Sequence, residues 1–207
     1  MSSSWTLGAK ARDALAEVGN IGTGNAVTAL SSMIGGRIDM DLPTIRILPF
    51  GEIPTLLGGA ETMQVGILLE IEGDLKGMFM FLLSEGFARE MLRSLLGEEP
   101  QDVMRLDEMN RSAVCEIGNI LCCAYINALA KMMDVRVQVS VPDMCSDMAG
   151  ALLSVPMIRF ATLSEELIFI ENRFRMGDVA IVSHVLFLPE FESIERILQA
   201  LGVDDGR

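Results

Sequence analysis

Two stretches of this chain carry similar polar residues at the same spacing. Asp13, Glu17 and Asn20 form one set; Ser112, Glu116 and Asn119 form the other. On a helix, positions i, i+4 and i+7 fall within an arc of roughly 60°, so each set leaves its helix on one side, spread over about 10 Å. Carboxylates accept hydrogen bonds and pair with cations, while a carboxamide both donates and accepts. A single such stripe would read as a solvated helix face. Here the stripe occurs twice while most surrounding positions differ, and asparagine, a mediocre helix former, stands mid-helix both times. That combination points to a working face.

Scarcity excludes other chemistries. His184 is the only histidine. A two-histidine metal site cannot be built within one chain, and any Ser-His-Asp or Cys-His arrangement would depend on this residue. It lies in Val179 to Phe187, an apolar run that reads as a half-buried strand. Cys115, Cys122, Cys123 and Cys145 form no C-x-x-C pair and read as small core hydrophobes. No metal site is expected. Gly19, Gly22 and Gly24 have the spacing G-x-x-G-x-G, with no strand before them and no Gly-Lys-Ser/Thr after, which does not support a nucleotide loop. Each glycine costs a helix about 1 kcal/mol relative to alanine, a loss that close approach by a neighbouring helix or a partner would offset.

The elements that position these residues are themselves repeated. Glu17-Val18-Gly19-Asn20-Ile21 recurs as Glu116-Ile117-Gly118-Asn119-Ile120, an offset of 99 residues. Without gaps, Asp13–Pro43 aligned on Ser112–Pro142 gives 10 identities in 31 positions, Pro43 with Pro142 among them. In each copy a long helix carries the stripe, with Leu15, Val18, Ile21, Val27 and Leu30, or Val114, Ile117, Ile120, Ile126 and Leu129, as its apolar flanks. Strand-like residues follow Pro43. Val65 to Glu70 and Lys76 to Leu82 flank Glu72-Gly73-Asp74 as a hairpin, and Ser84 opens a helix to Leu96 stopped by Gly97 and Pro100. In the second half, Leu167 to Arg175 and Val179 to Phe187 form the hairpin and Glu190 to Leu201 the helix, stopped by Gly202. An extra helix is expected only there, at Ser146 to Ser154. The expectation is an α+β fold with pseudo-twofold symmetry, antiparallel hairpin-built sheets and two long motif-bearing helices. It forms one intertwined domain over residues 1–207, duplicated as approximately 9–100 and 107–203, since no linker rich in Pro, Gly or Ser divides it.

Composition sets the outer bounds. Half of the 207 residues are hydrophobic, ample for a core. Sixteen basic against 29 acidic residues give a net charge of −13, with no Lys/Arg cluster to neutralise phosphates, so nucleic acid is not an expected partner. No run of 18 apolar residues occurs, so no membrane insertion is expected. The N-terminus lacks the basic and apolar regions of a signal peptide, which leads to a cytoplasmic assignment. Fifteen methionines suit adaptable surfaces but are more often core filler, and no site is drawn from them.

The pattern Asp or Ser, three residues, Glu, two residues, Asn, twenty-two residues, Pro fits Asp13, Glu17, Asn20 and Pro43, and fits again on Ser112, Glu116, Asn119 and Pro142. With the Glu-Ile-Gly-Asn-Ile core and Leu106-Asp107-Glu108-Met109 before the second copy, the chain resembles the CheC/CheX/FliY family of chemotaxis phosphatases over nearly its whole length. Two motifs and no added switch domain make the CheC branch the best fit. The resemblance implies hydrolysis of the aspartyl phosphate of phosphorylated CheY. It implies that Asn20 and Asn119 orient water, as a GTPase glutamine does. Glu17 and Glu116 would anchor CheY through a lysine. Asp13 and Ser112 would give supporting contacts, and Pro43 and Pro142 would shape the helix-to-strand geometry. Mg²⁺ would arrive on CheY. The resemblance also implies a contact with the receptor deamidase CheD through Ser146–Leu153, Asp147 above all. The alternative is an adaptor for CheD or a CheY-like receiver with little turnover.

Overall fold

The computed structural model describes residues 9–97, 99–160 and 166–200. The chain runs as α1 (Ala9–Ile34), β1 (Asp39–Met40), β2 (Thr44–Pro49), a 3-10 turn (Phe50–Glu52), α2 (Ile53–Leu56), β3 (Met63–Gly73), β4 (Gly77–Leu83) and α3 (Glu85–Leu96). It continues as α4 (Glu108–Met133), β5 (Val137–Val139), β6 (Asp143–Met148), α5 (Ala149–Phe160), β7 (Glu166–Met176), β8 (Val179–Pro189) and α6 (Phe191–Ala200).

The eight strands form one antiparallel sheet in the order β1-β7-β8-β4-β3-β5, with β2 also on β7 and β6 also on β3. Strands β1 and β2 of the first half thus pair with β7 of the second, and β5 and β6 of the second pair with β3 of the first. The β4–β8 pair lies at the centre, joined from Gly77–Pro189 to Leu83–Ser183. All seven residues of β4 are buried. Their side chains alternate between two cores, as period-two geometry requires. Phe79, Phe81 and Leu83 face the larger core with α1, α3 and α4. Met78, Met80 and Leu82 face a smaller core with α2 and α5. Cover on both faces explains why this run is apolar throughout.

Local signals place the helix ends. Ser84 caps α3, its Oγ accepting from the Phe87 N–H at 3.1 Å, and Gly97 ends it in the left-handed region at φ 75°. Asp107 caps α4, accepting from the Asn110 N–H at 2.8 Å, which holds its carboxyl below the usual carboxylate range. Helix α4 is apolar and long enough, by composition, to cross a membrane. It serves as a core helix: Val114, Ile117, Leu121, Tyr125 and Leu129 are buried against the rest of the fold.

Several expectations are corrected. The segment expected as a helix from Ser146 begins as strand, with β6 running to Met148, and α5 extends from Ala149 to Phe160. The cause is tertiary: the edge of β3 offers its backbone to Asp143–Met148, with Asp147 opposite Gln64. The first half also has a counterpart helix, the single turn α2. Only Cys122 is a fully buried cysteine; Cys115 and Cys123 are partly exposed and Cys145 is exposed. Ile21 is 42% exposed and so does not act as an apolar flank. The α6 stop expected at Gly202 lies outside the described residues.

Candidate functional site

The two motif helices share one frame. Each has 26 residues, and their limits differ by 99 at both ends. Both stop on a left-handed residue, Gly35 at φ 62° and Asp134 at φ 54°. Both close with the same bond, Gly36 N–H to Ser31 O at 3.2 Å and Val135 N–H to Ala130 O at 3.1 Å, the Schellman pattern.

The glycines act in three ways. A Cβ on Gly22 would lie 2.5 Å from Tyr125 Cδ1 and 3.1 Å from Tyr125 Cα, so this position brings α1 against α4. Gly19 meets Ile45 of β2, and Gly118 meets Ile67 of β3, seating each motif helix on a strand beside its asparagine. Gly24 has nothing within 4 Å of where a Cβ would stand, so no close approach accounts for it.

Buried neighbours on the inward face turn the polar stripe outward. Val18 and Gly19 are buried beside exposed Asp13 and Glu17 and half-buried Asn20. Ile117 and Gly118 are buried beside exposed Ser112 and Glu116 and half-buried Asn119. In the second copy the four expected residues meet at one open cavity of about 400 Å³, lined by Ser112, Cys115, Glu116, Asn119, Val139, Ser140, Val141 and Pro142. Asn119 Oδ1 lies 3.7 Å from Cys123 Sγ, within reach of the thiol's weak donor. Burial, and then the nearby Glu116 carboxylate, push the Cys123 thiol up. Thiol, carboxamide and carboxylate are therefore neighbours on consecutive turns. Burial also raises Cys115, so neither thiol is a ready nucleophile. In the first copy, Asp13, Glu17 and Asn20 share a face of α1, and Pro43 stands half-buried in the β1–β2 connection. Gly24 occupies the place of Cys123 and offers no side chain.

Beneath the first stripe lies a buried polar cluster. The Thr23 hydroxyl donates to the Gly19 carbonyl at 2.6 Å and lies 2.6 Å from the Tyr125 hydroxyl, which donates to Asn172 Oδ1 at 2.9 Å. Burial pushes the Tyr125 phenol up to about 12, against the opposing pull of its Thr23 and Asn172 hydrogen bonds. At the second site Cys122 stands where Thr23 stands at the first. His184 stacks on Phe169 at 5.3 Å, and burial lowers its pKa. It is a strand histidine packed in the sheet. Asp147 is half-buried in β6, its Oδ1 accepting from the Met148 N–H at 2.7 Å. No group of three potential metal ligands occurs among the described residues. A larger cleft, about 590 Å³ between Leu96 and Asn110, contains no residue of either Glu/Asn stripe.

Sequence reading missed Cys115, Val139, Ser140 and Val141. Their signal was positional, since each lies at or beside a motif residue on one helix face or in the segment ending at Pro142.

This arrangement defines a class of protein: an α+β shell that presents a Glu-and-Asn face twice, each on a 26-residue helix. The CheC-like family profile matches residues 11–47 and the chemotaxis phosphatase CheX profile matches residues 65–157, each enclosing one motif. The Bacillus subtilis protein named CheY-P phosphatase CheC is 34% identical over 194 residues, 92% of this chain and 93% of that one. The crystal structure of Thermotoga maritima FliY superposes with a TM-score of 0.75 at 18% identity, covering 96% and 98% of the two chains. The FliM middle domain from Helicobacter pylori (H. pylori) shares the fold at a TM-score of 0.68 and 11% identity, covering 94% and 99%. The chain belongs to the CheC family of chemotaxis phosphatases.

Proposed function

We propose that this protein hydrolyses the aspartyl phosphate of a phosphorylated CheY-type receiver at two sites. The supporting observation is the second-site cavity, where Ser112, Glu116, Asn119 and Pro142 converge on a space open to a docked partner. Hydrolysis of an acyl phosphate needs water held in line, and positioning with electrostatics supplies most of the catalysis. A carboxamide can accept from that water with its oxygen and donate with its nitrogen. Asn119 and Asn20 take this role, each on a helix held against the sheet through the adjacent Gly118 or Gly19. Glu116 and Glu17, one turn earlier and exposed, anchor a cation of the receiver. Ser112 and Asp13 extend the same contact face. Mg²⁺ belongs to the receiver's own phosphorylation site and enters with the substrate. The reading also puts a CheD contact at the β6–α5 junction, where Asp147 is a half-buried strand residue rather than a helix residue.

The test is the decay of the phosphorylated cognate receiver with wild type, Asn20→Ala, Asn119→Ala and the double variant. Acceleration retained in part by the singles and lost in the double supports two working sites. Full acceleration by a folded double variant overturns the mechanism. Receiver binding without acceleration by wild type supports the adaptor reading.

A further inference from the structure

Immediately before the motif proline of each copy the fold holds one large apolar side chain out in water. Val141, immediately before Pro142, is 87% exposed, and Leu42, immediately before Pro43, is 83% exposed. They stand at the same offset of 99 residues. Single exposed hydrophobics are ordinary on protein surfaces. This pair differs in three respects: it is duplicated, each member is held in place, and Val141 lines the same cavity as Glu116 and Asn119.

The anchoring is the same in both copies. The residue before Val141 donates its backbone N–H to β3, Ser140 to Glu70 O at 2.9 Å. The residue before Leu42 donates to β7, Asp41 to Arg173 O at 3.1 Å. Around Val141 two further bonds tighten the turn. The Glu70 N–H donates to Ser140 Oγ at 2.9 Å, and the Ser140 hydroxyl donates to Val141 O at 3.1 Å. The following proline fixes its own φ and restricts the residue before it. A partner therefore meets an apolar knob whose backbone is already ordered, which lowers the entropic penalty of binding.

We infer that Leu42 and Val141 are docking residues for the phosphorylated receiver, packing on an apolar patch that borders its phosphoaspartate while the adjacent Glu/Asn face meets the phosphorylated site. This rests on the phosphatase reading above. It divides the labour at each site: the apolar knob supplies affinity by burial, and the asparagine supplies rate. Hot spots are commonly a well-buried anchor within a ring of near-neutral contacts.

The experiment measures steady-state dephosphorylation of the cognate receiver by wild type and by Leu42→Ser/Val141→Ser, with Asn20→Ala/Asn119→Ala and the swap Leu42→Val/Val141→Leu alongside. The serine pair should raise KM about ten-fold, with kcat within about two-fold of wild type and an unshifted thermal melt. The swap should restore the wild-type KM within about three-fold, because it keeps both positions apolar. An unchanged KM in the serine pair overturns the inference, as does a fall in kcat at constant KM. If the asparagine pair is inactive while the serine pair is normal, only the docking role fails. If the asparagine pair is fully active, or wild type does not turn over, the phosphatase reading fails and the inference falls with it.

Discussion

Gly22→Ala and Gly24→Ala, the same substitution two residues apart on α1, are expected to change stability in opposite directions. Both gain the helix preference of alanine over glycine, about 0.8–1 kcal/mol. At Gly24 nothing lies within 4 Å of the new methyl group, so the gain is retained and the protein becomes about 0.5–1 kcal/mol more stable. At Gly22 the methyl would stand 2.5 Å from Tyr125 Cδ1, 3.0 Å from Cγ and 3.1 Å from Cα. The Tyr125 ring cannot swing clear cheaply, since its hydroxyl is tied to Thr23 and Asn172 and its Cα belongs to α4. Overpacking costs roughly 1–3 kcal/mol, and a clash with a tied ring and a helix backbone belongs to the upper part of that range, about 2–3 kcal/mol, so the net change is a loss of about 1–2 kcal/mol. Urea unfolding monitored by far-ultraviolet circular dichroism reads both signs, with unchanged m-values as the check that only stability has moved. For a domain of this size each kcal/mol is about 2–4 °C in Tm. Wild-type stability in Gly22→Ala would refute the α1–α4 packing on which the placement of Asn20 depends, and a loss in Gly24→Ala would refute the open space beside that position.

Three other outcomes are expected. Asp134→Gly relieves a non-glycine residue at φ 54° and should stabilise by about 0.5–1 kcal/mol in the same urea assay, with destabilisation as the contrary result. Glu17→Lys/Glu116→Lys reverses two exposed charges, so folding should persist while the KM for a phosphorylated receiver rises at least about ten-fold; equal KM would remove the anchoring role. Burial lowers the pKa of His184, partly opposed by Glu171 at 3.9 Å and reinforced by the charge of Arg173. The histidine pKa is lowered on folding, so the unfolded chain takes up the proton first and stability is lost as pH falls below about 6.5. In His184→Gln the decline in Tm between about pH 7.5 and about pH 5 should be shallower, and a decline of wild-type steepness would count against that origin.

The hairpins, the Ser84 cap and the offset repeat were legible because each is a local signal: alternation, a hydroxyl before a helix, a recurring pentapeptide. The exchange of β2 and β6 between halves was not, because periodicity shows that a segment can be a strand without naming its partner. Asp143–Met148 is polar at alternate places and contains two aspartates, and only the open edge of β3 makes it a strand. At the candidate site the Glu/Asn stripes were readable from spacing on a helix. Leu42 and Val141 were not, since an apolar residue in sequence reads as buried by default. Their exposure follows from a turn pinned by the Asp41 and Ser140 backbones. The ten repeat identities also passed over them, because one copy has leucine and the other valine.

The two sites repeat a frame but not its lining, and magnitudes indicate which difference matters. The first stripe carries two carboxylates, Asp13 and Glu17, where the second has Ser112 and Glu116. An extra negative charge about 10 Å from a phosphoryl group, across water, opposes binding by about 0.4 kcal/mol, roughly two-fold in affinity, and salt screens it. That term is too small to silence a site. The carboxamide environments differ more directly, since Asn119 has the Cys123 thiol at its carbonyl oxygen and Asn20 has Gly24 at the corresponding place. If Asn20→Ala and Asn119→Ala leave rates that differ well beyond two-fold and keep that ratio in high salt, the cause lies in how each asparagine is held. Cys123→Gly, which makes the second site like the first at this position, should then bring the rates together. If the ratio instead collapses with salt, the charge difference governs it and Cys123→Gly should leave the ratio unchanged.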